Sequence, residues 1–386
     1  MSPAENAINN RMDTFRPAGR DKVLTNAAGI PGHSVSGPAK QAEDTAMQRK
    51  RILIIYTGGT IGMMKTSLGY VPQKEKFHQL LDTIPVLKAE GMPGWDVVDM
   101  DPLLDSSNMT VVEWNAIGGI ISANYDRYDG FVVLHGTDTM AYTSSALSFT
   151  LRNNRKPVIL TGSQIPLCEL RNDARDNLIT ALMMAADDRV HEVCLYFGGK
   201  LLRGNRAVKY SADDLIAFDS PNFPPLAEAG IEIRYNPSLL LPPCEGPFSL
   251  QPLKNVQIGV IKVFPGIQFE LFDSIMTEKL KGIVIETFGA GNIPGSADAL
   301  LPIIRKASEN GTIIIVCSQC PHGTVTLGAY ETSAALKSAG AVSGYDITTE
   351  AAVAKLYYLF SRELDRDGIL ERMGRSLRGE ISVNDP

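Results

Sequence analysis

The chain has 386 residues, of which 44% are hydrophobic and 21% are charged, and its formal net charge is −6. This composition is typical of a globular protein of about two or three domains. The negative charge argues against nucleic acid and anionic membranes as partners. No uninterrupted apolar stretch approaches the ~18 residues of a membrane-spanning helix, so we expect a soluble protein.

The five cysteines are few and odd in number, which is typical of a reducing compartment such as the cytoplasm and not of a disulfide framework. Cys317 and Cys320 form a lone C-x-x-C pair, and only His322 lies close by in sequence. A zinc site needs more ligands than that. We therefore predict no metal and no cofactor.

Residues 1–49 differ from the rest of the chain. They are poor in aromatic and β-branched residues and show no sustained helical or strand period, which is typical of disorder. They contain no apolar core of a secretory signal. We expect a disordered N-terminal extension, and an organelle address is the alternative.

From Arg51 onward, short apolar runs alternate with longer mixed segments. Such alternation predicts β-α-β units and a mainly parallel sheet, with loops and ligands at the carboxyl ends of the strands. Strands are predicted at Ile52–Tyr56, Gly130–Leu134, Pro157–Leu160 and Glu192–Phe197, and helices at Val111–Asn124, Ser144–Asn153 and Asp176–Ala186.

Residues 241–255 are rich in proline and predict an irregular linker. A second α/β series follows. We therefore predict two α/β domains, a larger N-terminal parallel-sheet domain over residues 50–240 and a smaller C-terminal domain over residues 256–386. Strands of the second series are predicted at Val256–Val263, Gly282–Glu286 and Thr312–Cys317, and helices at Glu270–Leu280, Asp298–Asn310, Ser333–Ala339 and Glu350–Arg362.

Four polar segments follow strands or begin helices, and none is decisive alone. The first, TGGTIG, lacks the spacing of a dinucleotide fingerprint and the lysine of a P-loop. Two others have a purely structural alternative as helix N-caps. In the second segment Thr110 and Glu113 fit a capping box, and in the third Asp138 or Thr139 could cap a helix. The four segments are TGGTIG (57–62), PLLDSSNMT (102–110), LHGTDTMAYT (134–143) and RGNRAVK (203–209).

Together, the segments supply the parts of a nucleophilic site: threonines after strands at two places, an aspartate beside one of them and a downstream lysine. A threonine hydroxyl attacks only when a neighbouring group takes its proton, and a lysine can do so if its surroundings orient it. A Ser-His-Asp triad has few candidate histidines, and we expect His135 to serve packing.

Five motifs, which extend these four segments and add one after a predicted strand, resemble the bacterial-type L-asparaginase/glutaminase family, specifically its type I, cytoplasmic branch. The similarity extends from about Arg51 to Glu380, and the motifs occur in the order of the family. The motifs are YTGGTIGM, DSSNMT, HGTDTMAYTSSALSF, VILTGSQIPL and RGNRAVK.

The resemblance implies catalytic roles for five residues. Thr60 resembles the nucleophile, and Tyr70 the tyrosine of a mobile lid that helps to activate it. Thr137, Asp138 and Lys209 resemble a second triad, in which Lys209 and Asp138 polarise Thr137. Water would then resolve an acyl-enzyme or attack directly, and the sequence leaves both routes open.

The resemblance also implies binding roles. Asp105 and Ser106 resemble the pair that holds the α-amino and α-carboxylate groups of L-asparagine. Gly59 and nearby backbone N–H groups would stabilise an oxyanion. Asn292 resembles an asparagine at the rim of the site, for which a turn role is the alternative.

The implied activity is hydrolysis of L-asparagine to L-aspartate and ammonia, with weaker glutaminase activity, by a homotetramer or homodimer. Two alternatives remain: an ammonia-supplying amidotransferase subunit, and a non-catalytic amino-acid-binding protein on the same scaffold.

Two positions depart from the family pattern. Type I members carry an effector site for asparagine that uses a threonine just before the catalytic lysine and an arginine in a strand of the smaller domain. Val208 and Glu286 stand at these positions. Loss of the hydroxyl and reversal of the charge oppose recognition of the effector carboxylate, so we expect little or no substrate-induced activation.

Overall fold

The computed structural model describes residues 49–67, 69–294, 300–328 and 331–382. Apart from Arg49, the extension predicted to be disordered lies outside the described residues. In the described residues the strands are β1 Arg51–Gly58, β2 Met63–Thr66, β3 Gly69–Pro72, β4 Gly94–Leu104, β5 Gly130–Leu134, β6 Leu151–Arg152, β7 Val158–Thr161, β8 Val193–Phe197, β9 Lys200–Arg203, β10 Val208–Lys209, β11 Phe218–Asp219, β12 Ala227–Ala229, β13 Ile233–Tyr235, β14 Ser249–Leu250, β15 Gln257–Lys262, β16 Leu280–Thr287, β17 Ile313–Ser318 and β18 Ala341–Ser343.

The helices connect these strands, mostly as crossovers. Short 3-10 turns occur at Thr60–Gly62, Pro85–Lys88, Ser106–Asn108 and Phe269–Ile275. The α-helices of the described residues are α1 Lys74–Asp82, α2 Val111–Asn124, α3 Met140–Thr150, α4 Ala174–Ala185, α5 Leu300–Glu309, α6 Glu331–Ser338, α7 Thr349–Phe360 and α8 Arg366–Met373.

The larger sheet has the strand order β13-β12-β9-β8-β7-β5-β1-β4. Strands β4, β1, β5, β7 and β8 are parallel, whereas β9, β12 and β13 continue the sheet antiparallel. Along the chain, the connections leave β1 first toward β4 and then toward β5. Such a reversal creates a crevice at the carboxyl ends of the strands, where ligands bind in open α/β sheets.

Alternation along β1 directs apolar side chains to both faces of this sheet. Ile52 and Ile54 belong to a core with residues of α1 and α4, whereas Leu53 and Ile55 belong to a core with residues of α2 and α3. Because both faces of β1 are covered, the strand is a continuous apolar run.

The smaller sheet is parallel throughout, in the order β15-β16-β17-β18. A core cluster that includes Ala146 and Phe149 of α3 and Ala352 of α7 joins the two sheets. Ten of the eleven residues of α3 are buried, and small side chains such as Ser145 allow this helix to lie between its neighbours. The two-sheet α/β architecture predicted from the sequence is confirmed.

Several predicted elements needed correction. The predicted helix Glu270–Leu280 is wrong: only a 3-10 turn over Phe269–Ile275 forms, and Leu280 begins β16. Helix α3 begins at Met140 and ends at Thr150, because the following residues pair as β6 with β14. Helix α2 is confirmed over Val111–Asn124 with the predicted capping box. The domain boundaries stay predictions.

A buried arginine ties the C-terminal segment to the loop that precedes Lys209. Arg206 is 2% exposed. Its guanidinium donates to Asp346 at 2.8 Å, to the carbonyl of Gly379 at 2.7 Å and to the Ser382 hydroxyl at 2.8 Å. The cationic side chain is thus surrounded by acceptors, so the loop of residues 203–209 is fixed to residues that follow α8.

A second buried ion pair holds this C-terminal segment in place. The Lys355 ammonium and the Glu380 carboxylate are 2.6 Å apart, and both side chains are fully buried. Lys355 also donates to the carbonyls of Met373 and Arg375. The remaining hydrogen-bonding capacity of Glu380 is used by backbone N–H groups, Leu377 among them.

We expect Glu380→Gln to lower the free energy of unfolding by about 3–5 kcal/mol, because the change leaves the Lys355 charge buried and uncompensated. Urea unfolding measures this difference. The control is Glu371→Gln, which removes an exposed ion pair with Arg375 and costs about 1 kcal/mol or less. Equal losses for the two variants would contradict the interpretation.

Candidate functional site

Three loops meet at the carboxyl ends of β4, β1 and β5, and glycines allow their close approach. Gly59 has φ +80°, and a Cβ atom there would lie 2.5 Å from the backbone nitrogen of Gly136. A Cβ atom on Gly136 would lie 2.5 Å from the Ser106 hydroxyl oxygen. Thr60 and Thr137 follow the two glycines directly, so their backbones are neighbours.

Thr60 begins the 3-10 turn after β1 and is partly exposed. The preceding Thr57 is buried, and its hydroxyl donates to the carbonyl of Leu134 at 2.9 Å. Thr57 therefore ties the end of β1 to the end of β5, whereas Thr60 lies in the turn beyond the strand end. Gly62 leaves room for the ring of Tyr56, which a Cβ atom at that position would overlap.

Lys209 bridges the two polar side chains of the loop after β5. Its ammonium donates to the Thr137 hydroxyl at 3.0 Å and to the Asp138 carboxylate at 2.6 Å. Thr137 is 8% exposed, the Lys209 side chain 21% and the Asp138 side chain 61%. The structure thus brings together the three predicted members of the second triad.

His135 lies behind this loop and orients its backbone. The ring is fully buried, its Nδ1–H donates to the carbonyl of Gly136 at 2.7 Å, and its Nε2 accepts from Thr143 at 2.9 Å. The Thr143 hydroxyl in turn accepts from Trp114 at 3.0 Å. Burial lowers the pKa of His135 to about 4. Because a trans peptide points its N–H opposite its carbonyl, the N–H of Thr137 points away from His135.

Asp105 and Ser106 directly follow β4, a strand that the sequence pattern did not indicate. The exposed Asp105 carboxylate accepts from the backbone N–H of Ser107 at 3.0 Å and caps the following 3-10 turn. Ser106 is 3% exposed, and its carbonyl accepts from the Thr139 hydroxyl at 2.6 Å. Asp105 keeps acceptor capacity for a ligand.

Tyr70 lies on the hairpin of β2 and β3, which follows Thr60 directly. Its side chain is 43% exposed, and its hydroxyl donates to the Glu169 carboxylate at 2.5 Å. This hydrogen bond raises the pKa of Tyr70. A phenol has one proton to donate, so in this conformation that proton is engaged by Glu169 and not by Thr60. The sequence predicts a mobile loop here and indicates neither the hairpin nor Glu169.

Asn292 lies in a tight turn after β16, where its backbone pairs with that of Phe288. This turn belongs to the smaller sheet, not to the strand ends that carry Thr60 and Thr137. Gln164, which the sequence did not single out, does reach the site: its side-chain oxygen accepts from Thr137 at 3.3 Å.

A cavity of about 290 Å³ adjoins Lys209. Val208 and Glu286, the two positions that depart from the family pattern, both line it, as does Glu350. Glu286 accepts from the Thr349 hydroxyl at 2.7 Å. Burial raises the pKa of Glu350 to about 6. The cavity wall therefore presents carboxyl groups to any ligand.

Within the described ranges, no group of three or more His, Cys, Asp and Glu side chains could hold a metal ion. Cys317 is buried, which raises its pKa, and Cys320 is exposed. None of the helices that the structure describes is both long and apolar enough to cross a bilayer.

The fold and the site define a class of protein: two α/β units, one with a mainly parallel and one with a parallel sheet, and a site of threonine hydroxyls and a lysine where the strand order of the larger sheet reverses. Residues 51–240 match the Asparaginase, N-terminal family, and residues 257–373 match the Glutaminase/Asparaginase C-terminal domain. The chain belongs to the asparaginase/glutaminase family.

Individual relatives agree with this assignment. The chain is 45% identical to L-asparaginase 1 of Escherichia coli (strain K12) over 339 residues, 88% of this chain and 100% of the relative. It is similar to the crystal structure of L-asparaginase I from Vibrio cholerae, with a TM-score of 0.81 and 44% identity over 87% of this chain and 100% of the other. The resemblance found in the sequence is confirmed.

The pH dependence of stability should reveal two buried groups with opposite effects. In the unfolded chain His135 takes up a proton below pH 6.5, but in the folded chain it does so only near pH 4. The free energy of unfolding should therefore fall by about 3 kcal/mol as the pH is lowered through this range. Glu350 takes up its proton near pH 6 in the folded chain and near pH 4.5 in the unfolded chain. This difference should raise the free energy of unfolding by about 2 kcal/mol as the pH is lowered through the same range.

Urea unfolding between pH 4.5 and 6.5 checks this balance. We expect His135→Gln to lose less stability on acidification than the wild type, and Glu350→Gln to lose more. Each variant is compared with its own value at pH 6.5, because either change alters stability at neutral pH as well. Identical pH slopes for the three proteins would contradict the assignment.

Proposed function

We propose that this protein hydrolyses the side-chain amide of L-asparagine to L-aspartate and ammonia, with weaker activity on glutamine. The observation that carries the proposal is the bridge from Lys209 to Thr137 and Asp138, beside the loop that presents Thr60. The names of the relatives support the same reaction.

Thr60 serves as the nucleophile in this proposal. Its hydroxyl oxygen attacks the amide carbon while its proton passes to an assisting group, and the carbonyl oxygen becomes an oxyanion. The C–N bond then breaks as the nitrogen gains a proton and leaves as ammonia. Water hydrolyses the resulting acyl-enzyme ester, which releases L-aspartate and restores the Thr60 hydroxyl. For Tyr70 to assist Thr60, the phenol must exchange its hydrogen bond with Glu169 for one in the site. Closure of the hairpin would also exclude water and strengthen the electrostatic interactions within.

Thr137, Asp138 and Lys209 form the second group of catalytic side chains. The Lys209 ammonium polarises the Thr137 hydroxyl, and the Asp138 carboxylate offsets the lysine charge and directs it. Thr137 then aids attack on the amide directly or through a water molecule. A small shift in this geometry affects rate strongly, because reacting groups must be aligned to within a fraction of an ångström.

Binding of the substrate requires acceptors for an ammonium and donors for two oxygens. Asp105 supplies an acceptor for the α-ammonium, and Ser106 a donor for the α-carboxylate. The N–H groups of Gly59 and Thr137 are suited to oxyanion stabilisation. Asn292 would reach the rim only in an assembly, which agrees with the proposed homotetramer or homodimer.

We infer a cytoplasmic location from the cysteine content and from the resemblance of the motifs to the type I, cytoplasmic branch of the family. The match to a probable cytoplasmic L-asparaginase of Campylobacter jejuni, at 21% identity, supports the fold alone. The amidotransferase alternative is less favoured, because the chain is 31% identical to a glutamyl-tRNA(Gln) amidotransferase polypeptide of Thermococcus kodakarensis, against 45% for L-asparaginase 1. The binding-protein alternative would predict loss of reactive groups, and all of them are present.

Ammonia release from L-asparagine tests the proposal. We expect Thr60→Ala and Thr137→Val to lower kcat at least about 1,000-fold, since each removes a group that acts in bond making. Val112→Ala, a change of an exposed residue on α2, is the control and should retain activity. A wild-type protein without ammonia release would contradict the proposed function.

The kinetic curve tests the acidic cavity. We expect a hyperbolic dependence of rate on L-asparagine, because the carboxylates of Glu286 and Glu350 repel the α-carboxylate of an effector and Val208 offers it no hydroxyl. Initial rates over a wide range of substrate concentration measure this. A sigmoidal curve from a single oligomeric species would show that the cavity still binds an activating amino acid.

A further inference from the structure

Gln164 connects three loops of the site through one side chain. It lies after β7, and its backbone N–H donates to the Asp173 carboxylate at 2.9 Å. Its side-chain nitrogen donates to the carbonyls of Ala212 at 3.0 Å and Asp214 at 3.1 Å. Its side-chain oxygen accepts from the Thr137 hydroxyl at 3.3 Å.

The orientation of this amide is determined by its partners. The carbonyl oxygens of Ala212 and Asp214 can only accept, so the NH₂ end of the amide must face them. The oxygen end must then face Thr137. The position of the residue is fixed as well, because the Asp173 carboxylate accepts from the backbone N–H groups of both Gln164 and Ile165.

This orientation decides where the proton of Thr137 points. The Lys209 ammonium has only donors, so the Thr137 oxygen accepts from it. The single hydroxyl proton is then directed to Gln164. A neutral amide oxygen holds that proton in place but is far too weak a base to remove it.

We propose that Gln164 is a positioning residue of the reaction: it sets the hydroxyl direction of Thr137 and the distance from Thr137 to Lys209. Gln164 affects the distance because residues 212–214 follow Lys209 closely in the chain. Its amide therefore connects the segment that carries Lys209 to the loop that carries Thr137. The inference rests on the proposed function, in which Thr137 takes part in the chemical step and not in binding.

Steady-state kinetics of Gln164→Met test the proposal. Methionine has a similar length and lacks all three hydrogen bonds, so we expect kcat to fall about tenfold while KM changes by less than about twofold. The matched control is Gln251→Met, remote from the site, which also loses two amide-to-carbonyl hydrogen bonds and should keep both constants.

Gln164→Glu adds a readout that a purely structural role would not change. The protonated carboxyl group offers an acceptor to Thr137 and a single O–H to the carbonyls, in place of the two N–H bonds of the amide. The ionised group turns a negative oxygen toward the carbonyls of Ala212 and Asp214 and has no donor for either. We therefore expect kcat, relative to the wild type, to rise as pH falls through the pKa of the new carboxyl group.

A wild-type kcat for Gln164→Met, a loss confined to KM, or a pH-independent ratio for Gln164→Glu would overturn the proposal. If the wild type itself releases no ammonia, the proposed function is wrong, and a crystal structure of Gln164→Met decides the inference. An unchanged Thr137 rotamer and Lys209 contact would then refute it, and a displaced Thr137 would support it.

Discussion

The site depends on the contact between two glycine backbones at adjacent strand ends. A Cβ atom on Gly59 would overlap the backbone of Gly136, and one on Gly136 would overlap the Ser106 side chain. The contact between the two glycines places Thr60 beside Thr137. The proposed chemistry needs both threonines. Thr60 attacks the amide carbon, and Thr137 assists that attack from the neighbouring strand end. The parallel sheet supplies the juxtaposition, since β1 and β5 end at the same edge.

Groups behind this contact hold it rigid. The neutral His135 fixes the carbonyl of Gly136, and Thr57 joins the ends of β1 and β5. Arg206 fixes the loop that precedes Lys209 through hydrogen bonds to Asp346, Gly379 and Ser382. These buried polar groups are costly unless each finds its partner, and each of them does. The placement of Thr60, Thr137 and Lys209 therefore depends on buried side chains that lie behind them.

Local signals can be predicted from the sequence, and contacts between distant segments cannot. Helix α2 is predicted to the residue because its capping box lies within four positions. The 3-10 turn at Phe269–Ile275 resembles a helix in sequence, because the apolar spacing does not show that Leu280 must pair in β16. Strand β4 is not predicted, since its aspartates interrupt the apolar pattern and its order comes from β1.

The candidate site likewise contains residues that local motifs indicate and partners from distant segments that they do not. Motif resemblance indicates Thr60, Thr137, Asp138 and Lys209, and the structure brings the last three into contact. Two further partners are not predicted: Glu169, which binds Tyr70, and Gln164, which binds Thr137. Glu169 is 99 residues from Tyr70 and Gln164 is 27 from Thr137, and neither has a local pattern that indicates its role.

The attachment of Arg206 to Gly379 also has a consequence for biosynthesis. The two residues are 173 positions apart, a distance that a ribosome covers in about 10 to 35 s at ~5–20 residues per second. During that interval β1 to β9 can assemble. The loop that precedes Lys209 is not yet anchored, because the acceptors that surround Arg206 have not all been synthesised. The nascent larger sheet should therefore exist for many seconds as a folded but incomplete site, exposed to chaperones before it can act on any substrate.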